Sequence, residues 1–395
     1  MSPRFAVALP WRLGLFYAAL FGVVGVQFPF WPLYLSGKGL GPSGIGAAVA
    51  ASYLVRVLSN PLAGMLADRM NGRRRLLLIL SLASAAATAL FFAADAAWAL
   101  ILVTVLSYAF FSAMLPLADN LSLLCVARHG LDYGRIRLGG SLGFITLSLL
   151  GGQWLIGAPN EAIPLACIGM MLLCWAAAWF LPEPDIAADP DRKPGHAWPL
   201  LKAPSFILFL AAASLIQLSH IIYYGFASLH WRAAGLSGGI IGGLWAEGVA
   251  AEMLLFALGM GLARKLGPVR LLALGACGAA LRWAVLGSSV DPMILASVQG
   301  LHALSFGATH LGAMLFISRA VPADISAAGQ GIYASVAMGV VPGLGFLAAG
   351  ELYRVLEGRA FLVMALCALA GLAVARALSR RWDGGPIRIG AGTNA

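Results

Sequence analysis

Charge is what this sequence has least of. Only 11% of its 395 residues are Asp, Glu, Lys or Arg, against the roughly 25% that a water-facing surface requires, so no sizeable soluble domain is expected. Cysteine is scarce as well. The five present (Cys125, Cys167, Cys174, Cys277 and Cys367) stand singly in apolar stretches with no C-x-x-C, which argues against a disulfide framework or zinc site and makes them small core residues. No metal and no cofactor are expected. No G-x-x-x-x-G-K-[ST] loop occurs, so the chain cannot hydrolyse nucleotide itself. H-E-x-x-H, a D-x-x-x-D pair near a basic interface and an extended catalytic loop are missing too, which disfavours an integral-membrane enzyme. The match to G-x-S-x-G at Gly139–Gly143 lacks the strand that a nucleophile elbow needs and reads as the start of a membrane helix.

What is abundant is apolar: 61% of the side chains. With about 20 apolar residues per crossing and short loops, the chain has room for roughly twelve spans. Breaks of Gly, Pro and charge place them near 12–35, 44–67, 76–94, 98–124, 138–156, 162–181, 205–230, 239–263, 269–287, 292–318, 327–350 and 358–378. The first run is too long for a signal-peptide core and is read as a membrane helix. The net charge of +10 sorts by side. Lys38, Arg232, Arg354 and Arg359 fall on one side, Arg56 and Arg282 within spans, and the other twenty Lys and Arg residues on the side of the N-terminus. This bias predicts a multi-pass plasma-membrane protein with both termini cytoplasmic, and it is a topology signal, not a nucleic-acid footprint.

The polar break from Pro182 to Lys202 carries Glu183, Asp185, Asp189, Asp191 and five prolines, so it reads as a cytoplasmic linker. It divides the chain into a bundle over 1–181, a linker over 182–204, a second bundle over 205–378 and a tail over 379–395. A shift of 195 residues brings Gly64, Arg69, Gly72, Arg75, Leu76 and Leu77 onto Gly259, Arg264, Gly267, Arg270, Leu271 and Leu272. A parallel six-plus-six repeat is the architecture of transporters that hold solute between two half-bundles at mid-membrane. The expected fold is therefore all-α, twelve helices in two pseudo-symmetric halves, working as a monomer.

The segment Gly64-Met-Leu-Ala-Asp68-Arg69-Met-Asn-Gly72-Arg73-Arg74-Arg75 follows the second span and resembles the loop signature of the major facilitator superfamily. Gly64 is expected to permit close helix contact, Asp68 to meet a cation or a helix N-terminus, and Gly64, Asp68, Arg69, Gly72 and Arg73 to form a gate. The second copy has Ala263 in place of the acid, leaving the first copy alone in that role. Ionisable residues within spans are Arg56, Asp119, Glu247, Glu252, Arg282, His220, His302 and His310, each costing about 2.5–3.5 kcal/mol on insertion scales unless paired or wetted. Asp119 with Arg137, in Gly134-Arg135-Ile136-Arg137, is similar to the acid–arginine pair of lactose permease and other sugar:proton symporters. That resemblance implies substrate contact; an interhelical salt bridge is the alternative.

The phrases His220-Ile-Ile-Tyr223-Tyr224-Gly225-Phe226, Trp245-Ala-Glu247, Leu281-Arg282-Trp283 and His302-Ala-Leu-Ser-Phe306-Gly307-Ala-Thr-His310, with Phe28-Pro29-Phe30-Trp31-Pro32 near the start, resemble the phenylpropionate permease-like group of the same superfamily. The resemblance implies import of small aromatic acids with protons. A sugar or nucleoside proton symporter is the alternative, and a non-transporting sensor on the same fold is another. Asp119 and His310 each lie nine residues before an exit arginine, Arg128 and Arg319, which makes them pseudo-symmetric. His302 and His310 are about 80° apart round a regular helix, so both can border one cavity, whereas Glu247 and Glu252 are about 140° apart and cannot. One of the two glutamates is expected to pair with a base such as Arg282. Asp119, Arg137, Tyr224, Phe30 and Trp245 are the expected substrate residues, and His310, Glu252 and His302 the proton-coupling ones. Trp231 is expected in the interfacial aromatic belt.

Overall fold

The computed structural model describes residues 3–70, 72–183 and 198–387. The middle of the expected linker and the end of the tail lie outside the described residues. The main helices are α1 (Pro3–Gly37), α2 (Pro42–Met70), α3 (Arg73–Ala89), α4 (Ala97–Phe111), α5 (Met114–His129), α6 (Tyr133–Trp154), α7 (Ala162–Ala178), α8 (Pro204–Leu218) and α9 (Ile221–Ala233). Then come α10 (Gly238–Leu258), α11 (Met260–Leu266), α12 (Pro268–Leu286), α13 (Pro292–Gln299), α14 (Thr309–Ala320), α15 (Ser326–Ser335), α16 (Val341–Leu356) and α17 (Ala360–Arg381). No strand occurs among the described residues.

Nine helical stretches among the described residues are long and apolar enough to cross a membrane, the last of them, Ala323–Arg381, running for 59 residues. Large apolar side chains stand exposed along these stretches, Leu58 at 68% and Leu258 at 80% among them, a surface suited to a lipid phase. The chain is a multi-pass membrane protein. Cys125, Cys167 and Cys174 are buried as expected of core residues, but Cys277 is exposed on α12, where the same apolar character serves a lipid-facing position.

The chain forms two compact units. The first comprises Met1–Ala188, Tyr224–Ala250 and Phe346–Val355. Its main contact is α1 against α6, and the sequence shows why the two backbones can touch. A Cβ on Gly25 would lie 2.6 Å from the Phe144 carbonyl oxygen, and Gly139 and Gly143 sit against Gly14 and Ala18 in the same way. The Gly139–Gly143 stretch that mimics a hydrolase elbow is thus the packing surface of α6. Pro29 has no N–H with which to bond the Gly25 carbonyl. The Ser148 hydroxyl of α6 donates to that carbonyl instead, at 3.2 Å.

The second unit comprises Asp189–Tyr223, Ala251–Gly345 and Leu356–Ala395. Its apolar centre packs Phe209 on Phe316, with ring centroids 4.2 Å apart, within a layer formed by α8, α12, α14 and α17.

Several expected helices prove to be interrupted. The span placed at 98–124 turns at Ser112–Ala113 and continues to His129, because Pro116 cannot donate to the Ser112 carbonyl. The span placed at 205–230 breaks at Ser219–His220, where the Ser219 hydroxyl and His220 Nδ1 both bond the Ile216 carbonyl and compete with the backbone. The span at 292–318 is broken after Gln299, and Ala303–Ala308 forms a π-helical turn. The span at 138–156 starts earlier, at Tyr133, since Asp132 caps α6 by accepting from the Arg135 N–H at 3.2 Å.

Candidate functional site

Three clusters gather the intramembrane polar groups. In the first unit, Asp119 of α5 accepts hydrogen bonds from the hydroxyls of Tyr17 on α1 (2.6 Å) and Tyr133 on α6 (2.8 Å). Arg137, one turn after Tyr133, stands 3.9 Å from the same carboxylate oxygen. Its guanidinium lies over the rings of Phe21 at 4.1 Å and Tyr17 at 5.1 Å. The acid and arginine expected to meet do so, loosely. The tight partners of Asp119 are two tyrosines. Tyr133 was legible at an i, i+4 spacing from Arg137; nothing in the sequence singles out Tyr17, because α1 reaches Asp119 only through packing. An ion pair of this length, with about a third of each side chain exposed, is weak enough to exchange partners.

The second cluster is aromatic. Tyr224 packs 5.2 Å from Phe28 and stacks at 24° on Trp245, whose Nε1–H donates to the Ser228 hydroxyl at 2.9 Å. Phe30 does not join it. Two residues on from Phe28, it points about 200° round the helix and is fully buried against Gly151. Of the two phenylalanines it is Phe28 that meets Tyr224 and Trp245. Trp231, expected at the interface, is fully buried: α9 turns its ring inward among protein atoms.

The third cluster lies in the second unit. Arg282, with no exposed surface, donates to the Gln299 side-chain oxygen through Nε (3.1 Å) and one Nη. Its other Nη lies 3.0 Å from His302 Nδ1, and the guanidinium sits over Tyr223 (4.2 Å) and Trp283 (4.8 Å). An arginine only donates, so His302 Nδ1 accepts and its proton resides on Nε2. That Nε2 is 3.4 Å from the Glu252 carboxylate, giving a directed chain Arg282, His302, Glu252. Glu252 thus belongs to this cluster. Gly307 faces α10: a Cβ there would lie 2.9 Å from Leu255 Cδ2, about one turn after Glu252. His220 joins through Ser305, 3.3 Å from its Nε2.

His310 is reached by stacking. The His302, Phe306 and His310 rings follow one another at 5.5 and 6.1 Å with interplanar angles of 13° and 2°. The 80° offset expected of a regular helix does not apply, because the wider π-helical turn at 303–308 closes it; such turns recur at functional sites. Arg282, expected to pair with one of the two glutamates, meets Glu252 only through His302, and Gln299 was missed as part of this site, since the kink after it decides which way it faces.

The loop after α2 forms its own network. Arg73 binds Asp68 at 2.9 Å and also donates to the Asn120 side-chain oxygen. Gly72 supplies no side chain to cap α3, and the Glu183 carboxylate takes the Arg74 and Arg75 N–H groups at 3.2 Å each, an anion on a helix N-terminus. The cation expected for Asp68 is Arg73 of the same motif. The close helix contact expected at Gly64 is absent among the described residues: an added Cβ would meet nothing within 4 Å. Arg69 is exposed. Among the described residues no cluster of His, Cys, Asp or Glu could hold a metal ion.

A family model, the MFS_1 like family, matches residues 10–363. The chain is 33% identical over 368 residues to a probable 3-phenylpropionic acid transporter of Escherichia coli (strain K12), covering 91% of this chain and 95% of that one. It is 29% identical over 378 residues to a maltose permease of Geobacillus stearothermophilus, covering 93% and 94%. The fold is similar to that of the nucleoside transporter NupG, with a TM-score of 0.80 at 17% identity over 95% of this chain and 99% of NupG. It is also similar to a bacterial homologue of the human lysosomal transporter Spinster, with a TM-score of 0.75 at 14% identity over 97% and 100%.

Proposed function

The chain belongs to the MFS_1 like family, and from that premise we propose that it imports a small aromatic carboxylic acid, of the 3-phenylpropionate kind, together with protons. It is a transporter of the major facilitator superfamily for a small-molecule solute; its relatives and structural neighbours are transporters, not enzymes. The observation that carries the proton coupling is the buried Arg282–His302–Glu252 chain, in which one proton sits between an imidazole and a carboxylate at 3.4 Å. A group that gains or loses charge there changes the stability of the whole buried cluster.

Under this reading His302 and Glu252 carry the proton and His310 stands one ring away. Tyr224 and Trp245 receive the flat body of the solute, with Phe28 beside them. Arg137 exchanges its loose contact with Asp119 for a polar group of the solute, and Asp68, Gly72 and Arg73 work as the gate. The same reading keeps twelve spans, half-bundles over 1–181 and 205–378, cytoplasmic termini, plasma-membrane location and a monomer. A sugar or nucleoside proton symporter is the second reading, favoured by the Tyr17–Asp119–Tyr133 hydroxyl group, which suits a hydroxylated solute.

The test is uptake of labelled 3-phenylpropionate into proteoliposomes with the proton gradient imposed or collapsed. Accumulation only with the gradient is expected. Gradient-independent uptake would overturn the symport, and stronger uptake of a sugar or nucleoside would favour the second reading.

A further inference from the structure

Arg56 sits at the centre of α2, 14 residues from either bound of a 29-residue helix, so about 21 Å of helix separates it from each end. That depth keeps it from lipid headgroups on both sides. The other intramembrane arginine, Arg282, and Arg137 at the start of α6 have acceptors to hand in Gln299 and Asp119. Among the described residues Arg56 has no carboxylate within ion-pair distance. What it has is Tyr53, one turn earlier, whose ring lies 4.0 Å from the guanidinium carbon. A ring on the face of a guanidinium leaves the in-plane donors open.

The surroundings form a built site within the first unit. Tyr53 packs on Phe346 at 4.9 Å. On α4, which packs against α2, the Tyr108 hydroxyl donates to the buried Gln27 side-chain oxygen at 3.1 Å. Gln27 immediately precedes Phe28, the ring that meets Tyr224 and Trp245. One turn beyond Arg56, Ser59 and Asn60 bond Ser112 at 3.0 and 3.1 Å, fixing α2 to the kink of the α4–α5 span. The arginine is thus anchored from both neighbouring turns and half-exposed.

We propose that Arg56 is the anion site of the transporter, where the carboxylate of a small, flat, apolar monocarboxylic acid binds edge-on to the guanidinium while Tyr53 covers the guanidinium face. This deepens and rests on the reading of the protein as an organic-acid importer. It divides the labour of the two cations: Arg137, opposite Asp119 at 3.9 Å, meets a polar group of the solute only by leaving that acid, whereas Arg56 holds the carboxylate as its counter-ion. A bidentate carboxylate suits the planar fork of an arginine and not the point charge of a lysine.

The experiment measures binding of 3-phenylpropionate and of its uncharged amide to purified wild type, Arg56→Gln, Arg56→Lys and Tyr53→Phe. In Arg56→Gln the affinity for the acid is expected to fall about 30-fold or more, converting to about 2 kcal/mol, while the affinity for the amide changes less than about twofold. Arg56→Lys recovers only part of the loss. Amide binding by Arg56→Gln serves as the proof that the variant is folded; if it binds neither ligand, Arg56→Lys and Tyr53→Phe decide, and unchanged acid binding in both overturns the proposal. Wild type that binds the acid, with an Arg56→Gln variant that binds it equally well, overturns the anion site and leaves the importer reading standing. Wild type that binds a sugar or nucleoside but no carboxylate overturns both.

Discussion

His302 presents its Nε2–H to the Glu252 carboxylate at 3.4 Å because its Nδ1 is already engaged by Arg282 at 3.0 Å. The tautomer is set by a neighbour that can only donate, and the proton is thereby aimed at an acid on a different helix. Replacing Glu252 by Gln removes the acid and keeps the shape. We expect Glu252→Gln to bind solute and exchange it across the bilayer but to lose proton-driven accumulation, and His302→Gln and His310→Gln to move in the same direction. Counterflow measured beside gradient-driven uptake checks this; a Glu252→Gln variant that still concentrates solute would show the cluster to be structural.

The gate motif makes a different kind of prediction. Asp68 pairs with Arg73 at an exposed site, its side chain 71% accessible, where such a pair contributes about 0–1 kcal/mol to stability. Asp68→Asn is therefore expected to leave expression and melting temperature nearly unchanged while lowering the uptake rate. Wild-type uptake by that variant would remove Asp68 from the gate.

Pro29 and Ser148 are coupled through the Gly25 carbonyl. Ser148→Ala leaves that buried acceptor unbonded and should destabilise the protein by about 1–3 kcal/mol. In a Pro29→Ala background the backbone N–H returns, so the same serine change should have a smaller effect. Thermal unfolding of the two single variants and the double variant measures the coupling, and additive losses would refute it.

The aromatic cluster discriminates among solutes. Tyr224→Ala removes the ring that packs on both Phe28 and Trp245, and stacking of this kind contributes about 0.5–1.5 kcal/mol beyond area burial. Aromatic acids should lose roughly tenfold in affinity, and aliphatic acids of similar length much less. Competition assays read the difference directly. A sugar that competes better than aromatic acids would move the assignment to the Tyr17–Asp119–Tyr133 group.

Composition by itself made this a membrane chain, since 11% charge cannot cover a soluble surface. Residue identity and spacing were enough to bring Asp119 and Arg137 together, to single out Glu252 and His302, and to identify the superfamily from the loop around Asp68. Such features depend on local periodicity and on residue types that lipid penalises. Other features needed the tertiary structure. Whether Phe28 or Phe30 meets Tyr224 depends on the azimuth of α1 against its neighbours, and the interior position of Trp231 depends on which side of α9 is covered. The alignment of His302 with His310 depends on a π-helical turn that shifts every later side chain. Tyr17 reaches Asp119 only because glycines let α1 and α6 touch, and the counter-ions of Arg56 and Arg282 could be sought only once the neighbouring helices were in place. The physical reason is the same throughout: a helix presents all its faces equally in sequence, and only packing against other helices decides which face is interior, which is lipid-exposed and which is left to bind a solute.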